Sequence, residues 1–130
     1  MIEWSIFLIS EKLKIYQRFE GEIRFGPKYL QLKTEPNIQE FYGKIFGDWF
    51  YKTSDGIFLQ EWSSLQYANS NLIYIDFKEL KSITLQKNIE SVFWNMSEDN
   101  KYYNLNINTN FIEIRINKDV INKKYTTNDL

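Results

Sequence analysis

The chain has 130 residues, is 43% hydrophobic and carries 16 basic against 17 acidic residues, for a net charge of −1. This length fits one domain with a proper hydrophobic core. The apolar content excludes wholesale disorder, and the balanced charge argues against partners that select a basic surface, such as nucleic acid or an anionic membrane. The absence of cysteine and histidine removes disulfides, thiolate nucleophiles, serine-hydrolase triads and the commonest metal sites.

Strands with a period of two dominate the first third of the chain. Alternating apolar and polar residues predict strands at residues 2–9, 13–19 and 29–34. Gly21 interrupts the second of these patterns, and residues 38–42 are expected to form a loop or a single helical turn.

Residues 43–62 carry the strongest local signal, a β-hairpin rich in Ile, Phe, Trp and Tyr with an Asp-Gly turn. Most of these aromatic residues fit a strand covered on both faces. The face that carries Phe46 and Phe50 also carries Asp48, Lys52 and Gln60, so we expect this face to meet solvent or a partner.

The register of this hairpin depends on its turn, because each loop length pairs different residues. A two-residue loop and a three-residue loop with a bulged glycine both fit the sequence. We favour the bulged form, which places Tyr51 opposite Leu59 and Trp49 opposite Glu61.

A polar segment, two strands and a helix are predicted after the hairpin. The polar segment is 63–71, and the strands are 72–77, apolar on both faces and therefore central, and 82–85. The helix rests on Ile89, Val92, Phe93 and Met96, which share one stripe at helical spacing, with Asn88 as its N-cap.

A second hairpin is predicted near the end of the chain. Residues 103–107 and 112–116 alternate cleanly around a turn at 108–110, as expected for a sheet with one buried face. No linker or repeat is visible, so we expect one β-rich domain over 1–124 and a frayed tail at 125–130.

These elements predict a mainly β protein with one helix and eight or nine antiparallel strands, packed as a β-sandwich or a curled sheet. The alternative is a β-rich α+β fold in which the helix packs on an antiparallel sheet.

Two stretches resemble functional sites, but for each of them an ordinary solvent-exposed surface explains the pattern better. Asp48 and Glu61 beside tryptophans resemble an acid pair flanking a sugar bond, but such acids more often form a solvated face. Residues 12–19 interleave basic and aromatic side chains, as single-strand binders do. Because overall charge is balanced, we interpret this stretch as the outward face of a strand.

The pattern therefore favours a non-catalytic protein-binding module without catalytic residues, cofactor or metal. Our best hypothesis is a bacterial immunity protein or antitoxin that neutralises a toxin domain by direct binding. The expected partner-binding residues are Asp48, Trp49, Tyr51, Asp55, Glu61 and Trp62. The acids would mimic phosphates if the toxin is a nuclease, and the aromatic residues would anchor the contact.

The sequence also indicates a cellular location and allows a second function. The apolar run near the N-terminus is too short for a signal core or a membrane span, so we expect a cytoplasmic protein. Richness in Asn, Ile, Lys and Tyr fits an AT-rich bacterial coding sequence. The alternative function is a small β-barrel that binds a lipid or another apolar small molecule.

Overall fold

The structure, a computed structural model, describes residues 4–22, 28–64, 69–91, 93–107 and 112–121. The chain divides into two compact units, Met1–Glu90 and Ser91–Leu130. The fold is mainly β and antiparallel, as the sequence predicts, and it does not close into a barrel. The extension of one domain over 1–124 stays a prediction.

The first unit contains a seven-stranded antiparallel sheet in which each strand pairs with its neighbours in the sequence. Its strands are β1 (Ser5–Ile9), β2 (Lys14–Glu22), β3 (Lys28–Glu35), β4 (Phe46–Lys52), β5 (Gly56–Ser64), β6 (Asn69–Asp76) and β7 (Ser82–Ile89). This order is a meander, so every connection is local. A 3₁₀ helix, Gln39–Phe41, lies where the single helical turn is predicted.

The sheet curls between β3 and β4, which share only two residue pairs. Side chains from β2 and β3 on one side of this bend, from β4, β5 and β6 on the other, and from the segments beside these strands are buried together in one core. The core residues are Leu13, Ile15, Leu30, Leu32, Ile38, Phe41, Phe46, Ile57, Leu59, Ile73, Ile75 and Phe77. A curled sheet is one of the two predicted packings, and burial of these side chains is its main source of stability.

The turn of the β4–β5 hairpin differs from both predicted loops. Tyr51 lies opposite Phe58 rather than Leu59, which leaves four residues between the last paired positions. Thr53 closes this turn around Ser54 and Asp55, because its N–H donates to the Gly56 carbonyl at 2.8 Å and its Oγ1 accepts from the Gly56 N–H at 2.9 Å. A side chain that bonds its own turn in this way competes with the predicted loops.

A bulge in β4 also moves the second predicted pairing. Glu61 lies opposite Phe46 rather than opposite Trp49, and regular pairing resumes at Phe50 and Leu59. The predicted cross-strand pairs of this hairpin are therefore wrong, although the hairpin itself is present.

The second unit contains a three-stranded antiparallel sheet of order β10-β9-β8. Its strands are β8 (Trp94–Glu98), β9 (Tyr102–Ile107) and β10 (Ile112–Asn117). The last two are the predicted second hairpin, whose turn lies outside the described residues. The buried side chains of this sheet are those of Trp94, Met96, Tyr103, Leu105, Ile107 and Ile116. The described part of the chain thus has ten strands, more than predicted, and it ends in one helical turn at 118–121.

The predicted helix is wrong, because its residues are divided between two sheets. Ile89 ends β7 and Met96 lies in β8, and both side chains are buried. Asn88, the predicted cap, adopts a left-handed φ of 59° inside β7. Phe93 is exposed between the strands, and Val92 lies outside the described residues, as does the predicted tail.

Candidate functional site

The six predicted partner-binding residues lie on β4, β5 and the loop between them, but the structure does not gather them on one surface. Asp48 and Asp55 are exposed, Trp49 and Tyr51 are half-buried, and Glu61 and Trp62 are largely buried. That these residues contact a partner stays a prediction, and their burial separates them into three groups.

Tyr51 and Phe50 are neighbours in β4 and therefore point to opposite faces of the sheet. The Tyr51 ring packs 6.2 Å from the ring of Phe58, which is completely buried. Trp49 shares the Tyr51 face by alternation. The Trp49 and Tyr51 side chains on this face of the hairpin are therefore only partly accessible to a partner.

Glu61 is engaged within the first unit. Its Oε1 accepts a hydrogen bond from Asn71 Nδ2 at 2.9 Å, and its Oε2 lies 3.0 Å from Lys44 Nζ. No described donor has hydrogen-bond geometry to Oε2, so the ion pair rests on charge attraction. A carboxylate with these partners and only 13% side-chain exposure is poorly placed to mimic a phosphate.

Trp62 is only 6% exposed, and its indole N–H has no hydrogen-bond acceptor among the described residues. An unpaired buried donor destabilises a fold by about 1–3 kcal/mol. Trp62 therefore belongs to the interior, where packing outweighs this cost. Sequence patterns could not separate it from a surface tryptophan, because its burial depends on tertiary packing.

Phe50 is an exposed aromatic residue of the β4–β5 hairpin that the six-residue prediction omits. Its side chain is 41% exposed, and its ring packs 5.1 Å from the ring of Phe7. The signal was its alternation with Asp48 and Lys52, both of which are exposed. The same pattern misplaces Phe46 and Gln60, which belong to the predicted solvent face but are buried.

A second surface lies on the outward side of β1, β2 and β3. Strand pairing sets Ile6, Tyr16 and Lys33 in one row and Ile9, Lys14 and Glu35 in the next. We call these six side chains, together with Trp4, the β1–β3 outer face. Ile15, between Lys14 and Tyr16 on β2, and Leu13, just before the strand, are buried, as the outward-strand interpretation of 12–19 predicts.

Comparison with known proteins does not identify the chain. No family model matches it, and no curated protein or solved structure does either. Across the described ranges, no group of three or more His, Cys, Asp or Glu side chains could hold a metal ion. No helix in that part of the chain is long and apolar enough to cross a membrane.

Proposed function

We propose that this chain is a non-catalytic protein-binding domain, and more narrowly a bacterial cytoplasmic inhibitor of the immunity-protein or antitoxin kind. The observation that supports it is the exposed Phe50 ring on a hairpin that also carries two exposed acids, Asp48 and Asp55. A large aromatic side chain in water is a typical anchor of a protein interface.

Phe50 is suited to this role because Phe7 holds one side of its ring. A side chain that is already ordered loses little entropy when a partner covers it. Asp48 and Asp55 add negative charge to the same hairpin, which would steer a basic partner surface toward it. A toxin that cleaves nucleic acid needs such a basic surface.

The predicted residues have different roles in this function. Asp48, Asp55 and Phe50 would make the contact, whereas Glu61 and Trp62 would act by keeping the hairpin in place. Chemistry that depends on histidine or cysteine is closed to this chain, since the sequence contains neither. A ligand-filled barrel does not fit the seven-stranded sheet, which stays open.

Retention of a partner from the native host tests this function. The tagged chain should retain one stoichiometric protein, and isothermal titration should then give its Kd. Replacing both acids with lysine (Asp48→Lys with Asp55→Lys) should weaken this Kd by about 10- to 100-fold.

The matched control is Glu79→Lys with Glu90→Lys, which makes the same charge change at two exposed acids of the same unit. It should leave the Kd within about 3-fold of the original value. Recovery of the chain alone would overturn the protein-binding proposal. An unchanged Kd after reversal of Asp48 and Asp55 would overturn only the residue assignment.

A further inference from the structure

The β1–β3 outer face exposes apolar side chains along one margin. Ile6 and Ile9 are 58% and 50% exposed, and both lie on β1, at the edge of the sheet. The strand Ser5–Ile9 contains no charged residue and pairs only with β2 among the described strands. Exposed edge strands usually carry charges that prevent pairing with another chain, and this strand lacks them.

Lys33 places a positive charge beside this apolar margin. Its Nζ lies 4.6 Å from the centre of the Trp4 ring and 5.8 Å from that of Tyr16. Cation–π contacts orient an ammonium group without neutralising it. None of the described carboxylates lies within ion-pair distance of Lys33 or of exposed Lys14.

Arg18, by contrast, is already paired. Its guanidinium donates to Glu20 Oε1, with Nε at 2.9 Å, and to Gln31 Oε1. The Glu35 carboxylate on the same face accepts from the Tyr16 hydroxyl at 3.4 Å. This hydrogen bond from a neutral hydroxyl leaves the charge of exposed Glu35 in place, and Glu35 lies opposite Lys14 in the strand pairing. Lys14, Lys33 and Glu35 together therefore give this face a net charge of +1.

Two lysines are too few for a nucleic acid or an anionic membrane, which are bound through many such contacts. A face with a net charge of +1 suits a protein segment that carries a carboxylate near Lys33, and exposed Ile6 and Ile9 suit apolar side chains that alternate with that carboxylate. We propose that the β1–β3 outer face docks an acidic, extended segment of a partner protein, which lies along β1.

The contact would be made chiefly through side chains. The pairing of β1 with β2 shifts register between Ile6 and Leu8, so the strand is bulged and supports only a short ladder with an added strand. Apolar contact with Ile6 and Ile9 and charge contact with Lys14 and Lys33 would then set the specificity. This surface is independent of the hairpin acids, and its partner has the opposite charge.

Selection from random linear peptides displayed on phage tests the proposal. The folded chain should enrich peptides in which Asp or Glu alternates with apolar residues, and titration of one synthetic peptide should give its Kd. Lys14→Glu with Lys33→Glu should weaken that Kd by about 10-fold or more, and Ile6→Ser should weaken it without a change of charge.

Two controls separate this surface from the rest of the chain. Lys78→Glu with Lys87→Glu makes the same charge change at exposed lysines and should leave peptide binding unchanged. Asp48→Lys with Asp55→Lys should also leave it unchanged, which distinguishes this proposal from the hairpin proposal. Enrichment of no peptide, or of neutral or basic peptides, would overturn the inference. Binding of phosphatidylcholine–phosphatidylglycerol vesicles or a thymidine oligonucleotide in place of acidic peptides would do the same.

Discussion

The rings of Phe7 and Phe50 lie 5.1 Å apart at an interplanar angle of 60°, although β1 and β4 are not neighbours in the sheet. Adjacent strands lie about 4.8 Å apart, so a flat sheet would separate β1 from β4 by roughly 14 Å. The contact therefore depends on the bend between β3 and β4. The contact connects β1, on one side of the bend, with β4, on the other. Phe7 also packs against the core.

We expect Phe7 and Phe50 to be coupled in stability. Tilted aromatic pairs contribute about 0.5–1.5 kcal/mol beyond the area they bury. Urea unfolding of Phe7→Ala, Phe50→Ala and the double variant should give a coupling energy in this range. Phe50→Ala combined with Phe19→Ala is the control, because Phe19 is an exposed ring and the two losses should add. Additivity of the Phe7 and Phe50 losses would show that the contact does not hold the curl.

Replacing either of two glycines in the β4–β5 hairpin with a residue that has a side chain should destabilise the fold. A Cβ on Gly56 would collide with the Ile75 carbonyl of the neighbouring strand, and one on Gly47 would collide with the buried Gln60 side chain. Gly43 has open space, and its φ of 76° makes its strain purely conformational. We expect alanine to cost about 3 kcal/mol or more at Gly56, about 1–3 at Gly47 and about 1 at Gly43.

Denaturant unfolding of the three alanine variants gives this order directly. The collision at Gly56 involves backbone, which moves only with the strand, whereas Gln60 can rotate at some cost. Gly43→Ala serves as the internal control for left-handed strain without collision. A Gly56→Ala variant as stable as Gly43→Ala would contradict the close pairing of β5 with β6.

Two buried tryptophans should respond differently to replacement by phenylalanine. The Trp94 indole N–H donates to the Ser91 carbonyl at 2.8 Å, whereas the Trp62 N–H has no acceptor in the described residues. Trp62→Phe loses volume but also removes an unpaired donor, so we expect a change below about 1 kcal/mol in the free energy of unfolding. Trp94→Phe loses volume and a hydrogen bond and should cost about 2–4 kcal/mol. Equal losses would show that Trp62 has a partner, such as a buried water.

The sequence predicts strands well where a period of two decides burial. The second hairpin is the clearest case, because Tyr103, Leu105 and Ile107 face the buried side in strict alternation. The predicted helix fails because Ile89 and Met96 satisfy helical spacing by chance, across a break between two strands. A short apolar stripe does not identify the element when a turn falls inside it.

The candidate site was predictable only in part, because exposure is a tertiary property. Alternation places Phe50 beside Asp48 and correctly marks an exposed aromatic on the hairpin. It cannot show that Trp62 is buried or that Lys44 pairs with Glu61, since these depend on tertiary packing and on the bulged pairing of β4 with β5. The Thr53 side chain closes the turn one residue earlier than predicted, and the register shifts with it.

Asp99 should make the stability of the second unit depend on acid pH. Its Oδ1 accepts from the backbone N–H groups of Lys101 and Tyr102, each at 2.8 Å, and closes the turn between β8 and β9. These hydrogen bonds, the one from Lys101 first, lower the pKa of Asp99 from its ordinary value of 3.8. Because the folded pKa is the lower one, the stabilisation is present above the unfolded value and is lost as pH falls through the folded value.

Two measurements check this. Carboxyl chemical shifts followed during an acid titration should place the Asp99 pKa below 3.8. Urea unfolding of the chain and of Asp99→Asn at neutral pH and at about pH 3 should show a smaller acid-induced loss in the variant, because its amide does not titrate. If both proteins lose the same stability on acidification, other carboxylates rather than the Asp99 turn govern the acid sensitivity of this unit.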